Sequence, residues 1–418
     1  IAHHALLKQL EYYSADHGCV VVMETKTGHI KAISNLGRAD DGSYYETQNY
    51  AITESHEPGS TFKLMDLIAV LDDKKADTST IYDSKGGRIQ YYGRSVKDSN
   101  GKGYGKISLA RGFELSSNTV LVQSVYESYK NNPKQFVDRI NSYGLNKPLG
   151  LPIKGEGTPI IPQPGTDRWS GVALPWMAFG YGLSVTPLQT LTLYNAVAND
   201  GVMVKPIFVS EIKEWNKTIK KFEAQVINPK ICSKETLNKV HAVLENVVKK
   251  GTGSKLYSKN FSMAGKTGTA QVNYGKPNMY YASSFVGYFP ADNPKYSCIV
   301  IIHNPDKTIG YYGADVAGPV FKRIAQKIFT DSPSMNHVKN IDAKVISEEN
   351  KYAEYYKKVV AEELIVPNVK GMDGMDAVAL LENLGLKVKV IGVGRVKKQS
   401  LTSGQAFNKN QTIIIELS

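Results

Sequence analysis

His56-Glu57-Pro58-Gly59-Ser60-Thr61-Phe62-Lys63 decides how this chain is read, because it joins a Pro-Gly turn to a helical apolar pattern through a Ser-x-x-Lys pair. Phe62, Met65, Ile68, Ala69 and Leu71 recur at helical spacing. Residues i and i+3 share a helix face, so Lys63 can bring its ammonium nitrogen within hydrogen-bond reach of the Ser60 hydroxyl. Gly59 lets the backbone approach a ligand closely where free N–H groups at a helix start can receive developing negative charge. The Ser60 N–H is then half of an oxyanion hole. To act as a base Lys63 must be neutral, which requires its pKa to fall well below ~10.4 through burial or a nearby cation. Alone, the pair reads more readily as a helix N-cap serine followed by an exposed lysine.

Context separates this pair from two others. Ser99 and Lys102 lie in Asp98-Ser99-Asn100-Gly101-Lys102-Gly103, a loop by composition. Ser210 and Lys213 lie in Ile207-Phe208-Val209-Ser210-Glu211-Ile212, whose alternation reads as a strand and puts the two side chains on opposite faces. Ser-x-N also occurs three times, at Ser116-Ser117-Asn118, Ser258-Lys259-Asn260 and Ser334-Met335-Asn336. The first falls between a helical stretch ending near Leu115 and an apolar run from Val120, a tight turn able to hold a hydroxyl and an amide beside a cleft. Helix capping is its other reading. Lys-Thr-Gly occurs twice. Lys26-Thr27-Gly28 is explained by a hairpin turn. Lys266-Thr267-Gly268-Thr269 runs into a strand, where Gly268 removes a side chain so that a ligand can lie along the backbone. Lys266 can supply the cation that keeps Lys63 neutral, Thr267 and Thr269 offer hydroxyls to a carboxylate, and the Thr269 N–H completes the oxyanion hole.

The 418 residues suggest two or three domains at ~150 residues each. With 42% hydrophobic and 22% charged residues, the chain has the composition of a folded soluble protein. Cys19, Cys232 and Cys298 are too few and too scattered for a disulfide framework or a zinc site and read as buried structural thiols. No run reaches the ~18 apolar residues of a membrane span. The chain opens inside a helical pattern, Ala5, Leu6, Leu7 and Leu10, so an upstream anchor is expected. A net charge of +12 favours anionic partners, but the lysines are scattered and not interleaved with aromatics, so nucleic acid is not expected as a partner.

Residues 1–15 read as an amphipathic helix, and 19–23 with 29–33 as a hairpin. Three more strands are expected within 262–269, 284–289 and 296–302, the last an apolar run suited to a strand buried on both faces. Helices are expected over 62–71, 119–129, 188–198 and 235–248. Strands at both ends with helices between imply an α+β architecture with one sheet built from distant segments. Residues 338–363 read as a linker. Beyond it Ala377, Leu380, Leu381 and Leu384 form a helical stripe stopped by Gly385, followed by strands at 386–390 and 411–417.

The order of the three motifs, at 60, 116 and 266, resembles the active-site set of penicillin-binding proteins and class A β-lactamases. The resemblance extends to Gly180-Tyr181-Gly182-Leu183-Ser184-Val185-Thr186-Pro187-Leu188-Gln189, Ala264 to Ala270 and Ser284 to Pro290, and is to class B penicillin-binding proteins of the division type. It implies a serine β-lactamase/D,D-transpeptidase-like domain over 16–337, an antiparallel sheet flanked by helices with a helical lobe. Residues 364–418 resemble a small α/β PASTA domain through Val366-Pro367-Asn368-Val369-Lys370-Gly371, Val396, Gln399-Ser400 and Gly404, with Leu401 and Asn410 departing from the usual proline and glycine.

By this resemblance Ser60 attacks the penultimate D-Ala carbonyl of a peptidoglycan stem peptide and Lys63 takes its proton. Ser116 relays a proton to the leaving amine, Asn118 holds the peptide, and Lys266, Thr267 and Thr269 dock the carboxylate. Stem peptides, β-lactams and membrane proteins of the division or elongation machinery, including a lipid II polymerase, are the implied partners. The implied location is the extracytoplasmic face of the bacterial membrane. A β-lactam sensor or catalytically silent scaffold shares these motifs. A β-lactamase is disfavoured because no Glu-x-x-Leu-Asn segment lies between Asn118 and Lys266. His56-Glu57 begins like a zinc-binding H-E-x-x-H, but position 60 is Ser and Pro58 breaks the helix, so no metal or cofactor is expected.

Overall fold

Runs of Val, Ile and Cys without a polar break suit strands covered on both sides, whereas alternation suits strands with one wet face. In the computed structural model, which describes residues 1–215, 217–331 and 364–418, six strands form one sheet. They are β1 (His17–Glu24), β2 (Ile30–Arg38), β3 (Tyr44–Tyr45), β4 (Ala264–Val272), β5 (Tyr280–Phe289) and β6 (Tyr296–His303). Their order is β4-β5-β6-β1-β2-β3, antiparallel throughout. The β1–β2 hairpin turns at Gly28, whose φ of 78° is left-handed. The apolar run at 296–302 is β6, central as its composition demands.

Each face of the sheet carries its own core. One receives Val21, Met23, Val286, Tyr288, Ile299 and Ile301. The other receives Val20, Val22, Phe285, Cys298, Val300 and Ile302, packed against α1 (Ala2–Tyr12) through Leu6 and Leu10. The first core is completed by α2 (Lys63–Asp72), α3 (Leu109–Glu114), α4 (Asn118–Tyr129), α5 (Pro187–Ala198) and α6 (Lys234–Lys250). The second is closed by α7 (Gly318–Asp331) through Val320, Phe321 and Ile324. All three cysteines are free and buried, and burial pushes their thiols up, so they serve packing.

Local chemistry sets the ends of these helices. Thr186 and Gln189 form a reciprocal capping box with Pro187 at the first turn of α5. Ser233 caps α6, which ends with Lys249 and Lys250, where positive charge suits the negative end of the helix dipole. The expected helix at 62–71 begins one residue later, at Lys63. Ser60 instead lies in a single 3₁₀ turn, Gly59–Thr61, because Gly59 takes a left-handed φ of 55°. Gly59 has almost no room for a side chain, since a Cβ there would stand 3.0 Å from that of Ala270 on β4.

The chain divides into two compact units, one within 1–332 and the other within 333–418. In the second, α8 (Gly374–Asn383) packs Ala377, Leu380 and Leu381 on a sheet of β7 (Lys387–Ile391), β8 (Val396–Gln399) and β9 (Thr412–Leu417) in the order β7-β9-β8. Gly385 ends the helix at a φ of 93°. Asn410 adopts a left-handed φ of 70°, which accounts for glycine being the usual residue there. The expected linker and Ser334-Met335-Asn336 lie outside the described residues. Among the described residues no helix is long and apolar enough to cross a membrane.

Candidate active site

Three segments far apart in sequence converge beside β4, at one edge of the sheet. The first is the Ser60 turn, held against the strand by close packing. The position a Cβ on Gly268 would occupy is filled by Ser284 Oγ and by Thr61 Cγ2, the latter at 3.0 Å. Gly268 was expected to clear space for a ligand, but this direction is filled by protein, so the glycine serves the seating of the Ser60 turn. The turn is also gripped by Gly180-Tyr181-Gly182. Gly59 N donates to Gly180 O at 3.1 Å, Gly182 N donates to Glu57 Oε1 at 2.8 Å, and Tyr181 Oη accepts from Gln271 N at 2.8 Å. Gly180, at φ 83°, has no room for a Cβ because the Gly59 carbonyl fills that space. The Ser60 N–H donates to no acceptor among the described residues, as a waiting oxyanion donor requires.

The second segment is the turn between α3 and α4. Ser117 is the cap of α4, its Oγ accepting from Val120 N at 3.2 Å. Capping therefore falls to the middle residue, and Ser116 and Asn118 are free for other partners. Ser116 holds a φ of 56°, a left-handed conformation that a non-glycine residue adopts only when its surroundings impose it. Asp98 imposes it. Its buried carboxylate accepts from Ser117 Oγ at 3.0 and 3.1 Å, from Thr119 N at 3.0 Å and from Thr119 Oγ1 at 2.8 Å. Sequence reasoning passed over Asp98 as part of a loop around a decoy Ser-x-x-Lys.

Lys63 ties the first two segments together. Its Nζ donates to Ser116 O at 2.7 Å, Ser116 Oγ at 3.3 Å and Asn118 Oδ1 at 2.6 Å. An ammonium has three donors, and these partners use all three, which explains why no hydrogen bond joins Lys63 to Ser60. Asn118 is itself fixed by its Nδ2 donating to Lys97 O at 2.7 Å. The third segment, β4, brings Lys266, whose Nζ donates to Ser116 Oγ at 2.8 Å and to Thr267 O at 3.0 Å. Ser116 Oγ thus bridges two lysines.

Both lysines are fully buried, and burial is the main cause that lowers both. Lys63 is brought down to about 7, with Asp98 and Asp66 opposing the fall. Asp66 offers only a weak counter-charge, since burial raises its own pKa well above the usual carboxylate range and neither oxygen has a partner. Lys266 was expected to be the cation that lowers Lys63. Burial is the larger cause for both, and the repulsion between the two charges, which adds to burial in lowering Lys266, is shared by the pair. The pair holds at most one proton comfortably, shared through Ser116.

Thr267 Oγ1 and Thr252 Oγ1 lie 2.7 Å apart, and Thr269 Oγ1 accepts from Gly313 N at 3.0 Å. Because Thr269 uses only acceptor capacity, its O–H stays free to donate to an anion. The arrangement suits acyl transfer: a serine at a turn with a free N–H, a near-neutral lysine, a bridging hydroxyl and a hydroxyl donor on an edge strand.

Comparison with known proteins matches both units of the chain to families. The family described as "Penicillin binding protein transpeptidase domain" matches residues 18–326, and "PASTA domain" matches 364–418. Stage V sporulation protein D of Bacillus subtilis is 29% identical over 424 residues, covering 97% of this chain and 62% of that protein. The probable peptidoglycan D,D-transpeptidase PenA of Neisseria gonorrhoeae is 30% identical over 339 residues, covering 78% of this chain and 54% of that protein. The chain therefore spans between half and two thirds of these relatives' lengths. Penicillin binding protein 3 of Mycobacterium tuberculosis, solved in complex with aztreonam, superposes with a TM-score of 0.68 at 27% identity, covering 79% of this chain and 76% of that one.

Proposed function

The chain belongs to the penicillin-binding protein transpeptidase family and carries a PASTA domain, and from that premise we propose that it is a peptidoglycan D,D-transpeptidase with Ser60 as nucleophile. The observation that supports this most is the hydrogen-bonded set of Lys63, Ser116, Asn118 and Lys266 beside the Ser60 turn.

Loss of one proton from Lys63 leaves an amine with two donors and a lone pair. One of its three contacts is released, and the lone pair is free to turn to the Ser60 hydroxyl. Ser60 Oγ then attacks the carbonyl carbon of the penultimate D-Ala, and its proton passes to Lys63. Negative charge on the carbonyl oxygen is received by the N–H groups of Ser60 and Thr269. As the C–N bond breaks, Ser116 Oγ passes a proton to the departing nitrogen and recovers one from the lysine pair. Terminal D-Ala leaves. An amine of a second stem peptide attacks the ester, forms the cross-link and returns the proton to Ser60. Asn118 orients the peptide, while Lys266, Thr267 and Thr269 receive its carboxylate. β-Lactams enter the same path as far as the ester.

The substrate lies outside the cell membrane, so the enzyme works on its extracytoplasmic face. It acts there on glycan supplied by a lipid II polymerase, within the division or elongation machinery. The test is D-Ala release from a donor stem peptide in the presence of an acceptor amine. Release that depends on Ser60 and is accompanied by cross-linked product supports the reading. Absence of D-Ala release from the folded wild-type chain contradicts it.

A further inference from the structure

Glu57 stands three residues before Ser60 and takes no part in the acyl-transfer set; in the sequence it drew notice only as the start of a false zinc motif. Its Oε1 accepts from Gly182 N at 2.8 Å. Its other oxygen has no hydrogen-bond partner, and no Lys, Arg or His pairs with the carboxyl, among the described residues. The side chain is half-buried, and burial raises its pKa, with the Gly182 N–H opposing. What this carboxylate lacks is a cation.

The edge of β4 determines which part of a substrate passes Glu57. β4 is paired on one side only, with β5, and the N–H groups of an antiparallel strand alternate between its two edges. Gln271 N donates to Tyr181 Oη, off the free edge, so the Thr269 N–H two residues earlier lies on that edge as well. A donor peptide with its terminal carboxylate at Lys266 and Thr267 and its reacting carbonyl at Thr269 therefore runs antiparallel to β4. The residue before its two D-Ala comes next, toward Gln271. There Tyr181 takes the backbone donor, so the peptide leaves the strand beside the Tyr181 side chain. Gly182, the residue Glu57 holds, is adjacent, and the Tyr274 ring meets that of Tyr181 edge to face with centroids 5.6 Å apart. Burial raises both phenols, and the nearby Glu57 charge adds to the rise.

The cross-link joins the donor ester to an amine carried by a second stem peptide. Donor and acceptor are the same kind of molecule, so the donor carries that amine too, upstream of its D-Ala residues and unused in its own acylation. An alkylamine with a pKa of ~10.4 is a cation at neutral pH. On the transpeptidase reading, on which this rests, we infer that Glu57 pairs with the side-chain ammonium of the donor stem peptide and is a specificity-determining residue for the donor. Oε2 accepts from the ammonium while Oε1 stays on Gly182 N, and the Tyr181 and Tyr274 rings border the cation.

The test compares two donor peptides, one with its side-chain amine free and one with it acetylated. The readout is kcat/KM for D-Ala release, which covers the steps up to the acyl-enzyme and precedes entry of the acceptor. The wild type is expected to prefer the free amine about tenfold, and the preference to shrink as salt is raised. Glu57→Gln keeps an oxygen for Gly182 N and removes the charge, so its two donors should fall within about twofold of each other, with the loss confined to the free-amine donor. A residue that only held the Gly182 turn would slow both donors equally when changed. That result, equal rates for the two donors in the wild type, or a preference that survives in Glu57→Gln overturns the inference. Release of no D-Ala from either donor instead defeats the transpeptidase reading and the inference with it, so the two failures are told apart.

Discussion

Asp98→Ala removes the group that sets the Ser116-Ser117-Asn118 turn. Three donors lose their acceptor: Ser117 Oγ, Thr119 Oγ1 and Thr119 N. The two hydroxyls already stand 3.1 Å apart and can turn to each other. The Thr119 N–H has no such substitute. Hydrogen bonds to a charged acceptor contribute about 1.5–3 kcal/mol each, and an orphaned buried N–H costs about 1–3 kcal/mol, so the expected loss is ~3–5 kcal/mol rather than the full sum. Urea unfolding followed by near-ultraviolet circular dichroism measures it. Acylation should slow as well, because Ser116 and Asn118 are held by the same turn. Asp98→Asn separates the two effects. Its amide oxygen can still accept from Thr119 N and its NH₂ can donate to the hydroxyls, so most of the stability should return. The charge that opposes the lowering of the Lys63 pKa is gone, however, so the pH midpoint of acylation should move down. Wild-type stability and acylation in Asp98→Ala, or an upward midpoint in Asp98→Asn, would refute the reasoning.

Burial holds Lys63 at about 7, so the neutral amine accumulates as pH rises through that value. The rate of penicillin acylation should climb between about pH 6 and 8 and then level off; stopped-flow or gel labelling across buffers checks this, and a falling profile contradicts it. Gly180→Ala forces a Cβ into the Gly59 carbonyl at a left-handed φ, and should lose ~2–4 kcal/mol or displace the Ser60 turn. Either outcome lowers labelling by fluorescent penicillin. In the PASTA unit Leu380→Ala opens a cavity in a core of its own, costing ~2–5 kcal/mol there and leaving the acylation rate unchanged. Differential scanning calorimetry beside the labelling assay reads both.

The sheet was legible because β1 and β6 are continuous apolar runs and the Thr27-Gly28 turn marks a hairpin. Choosing Ser60 and Lys63 over the pairs at 99 and 210 was legible from periodicity, and the structure places those rivals in a loop and at the start of a strand, Glu211–Glu214. The short strands Ile81–Asp83, Arg88–Tyr91 and Arg94–Lys97 escaped because three or four residues carry too little alternation to register. Helix Pro133–Ser142 was overlooked despite Pro at its first turn and Phe136, Val137 and Ile140 on one face, signals that were present. Within the site, the roles of Asp98 and Gly180 depend on contacts spanning 19 to 121 positions, which no local pattern encodes.

Acyl transfer by this chain requires covalent chemistry at one hydroxyl, that of Ser60. Intact-mass and peptide mass spectrometry of the chain after brief exposure to penicillin measures it directly. The predicted result is one penicilloyl adduct, on the peptide containing Ser60, with none formed by folded Ser60→Ala. An adduct that persists in Ser60→Ala, or one that maps to the Ser99 or Ser210 peptides, would contradict the account.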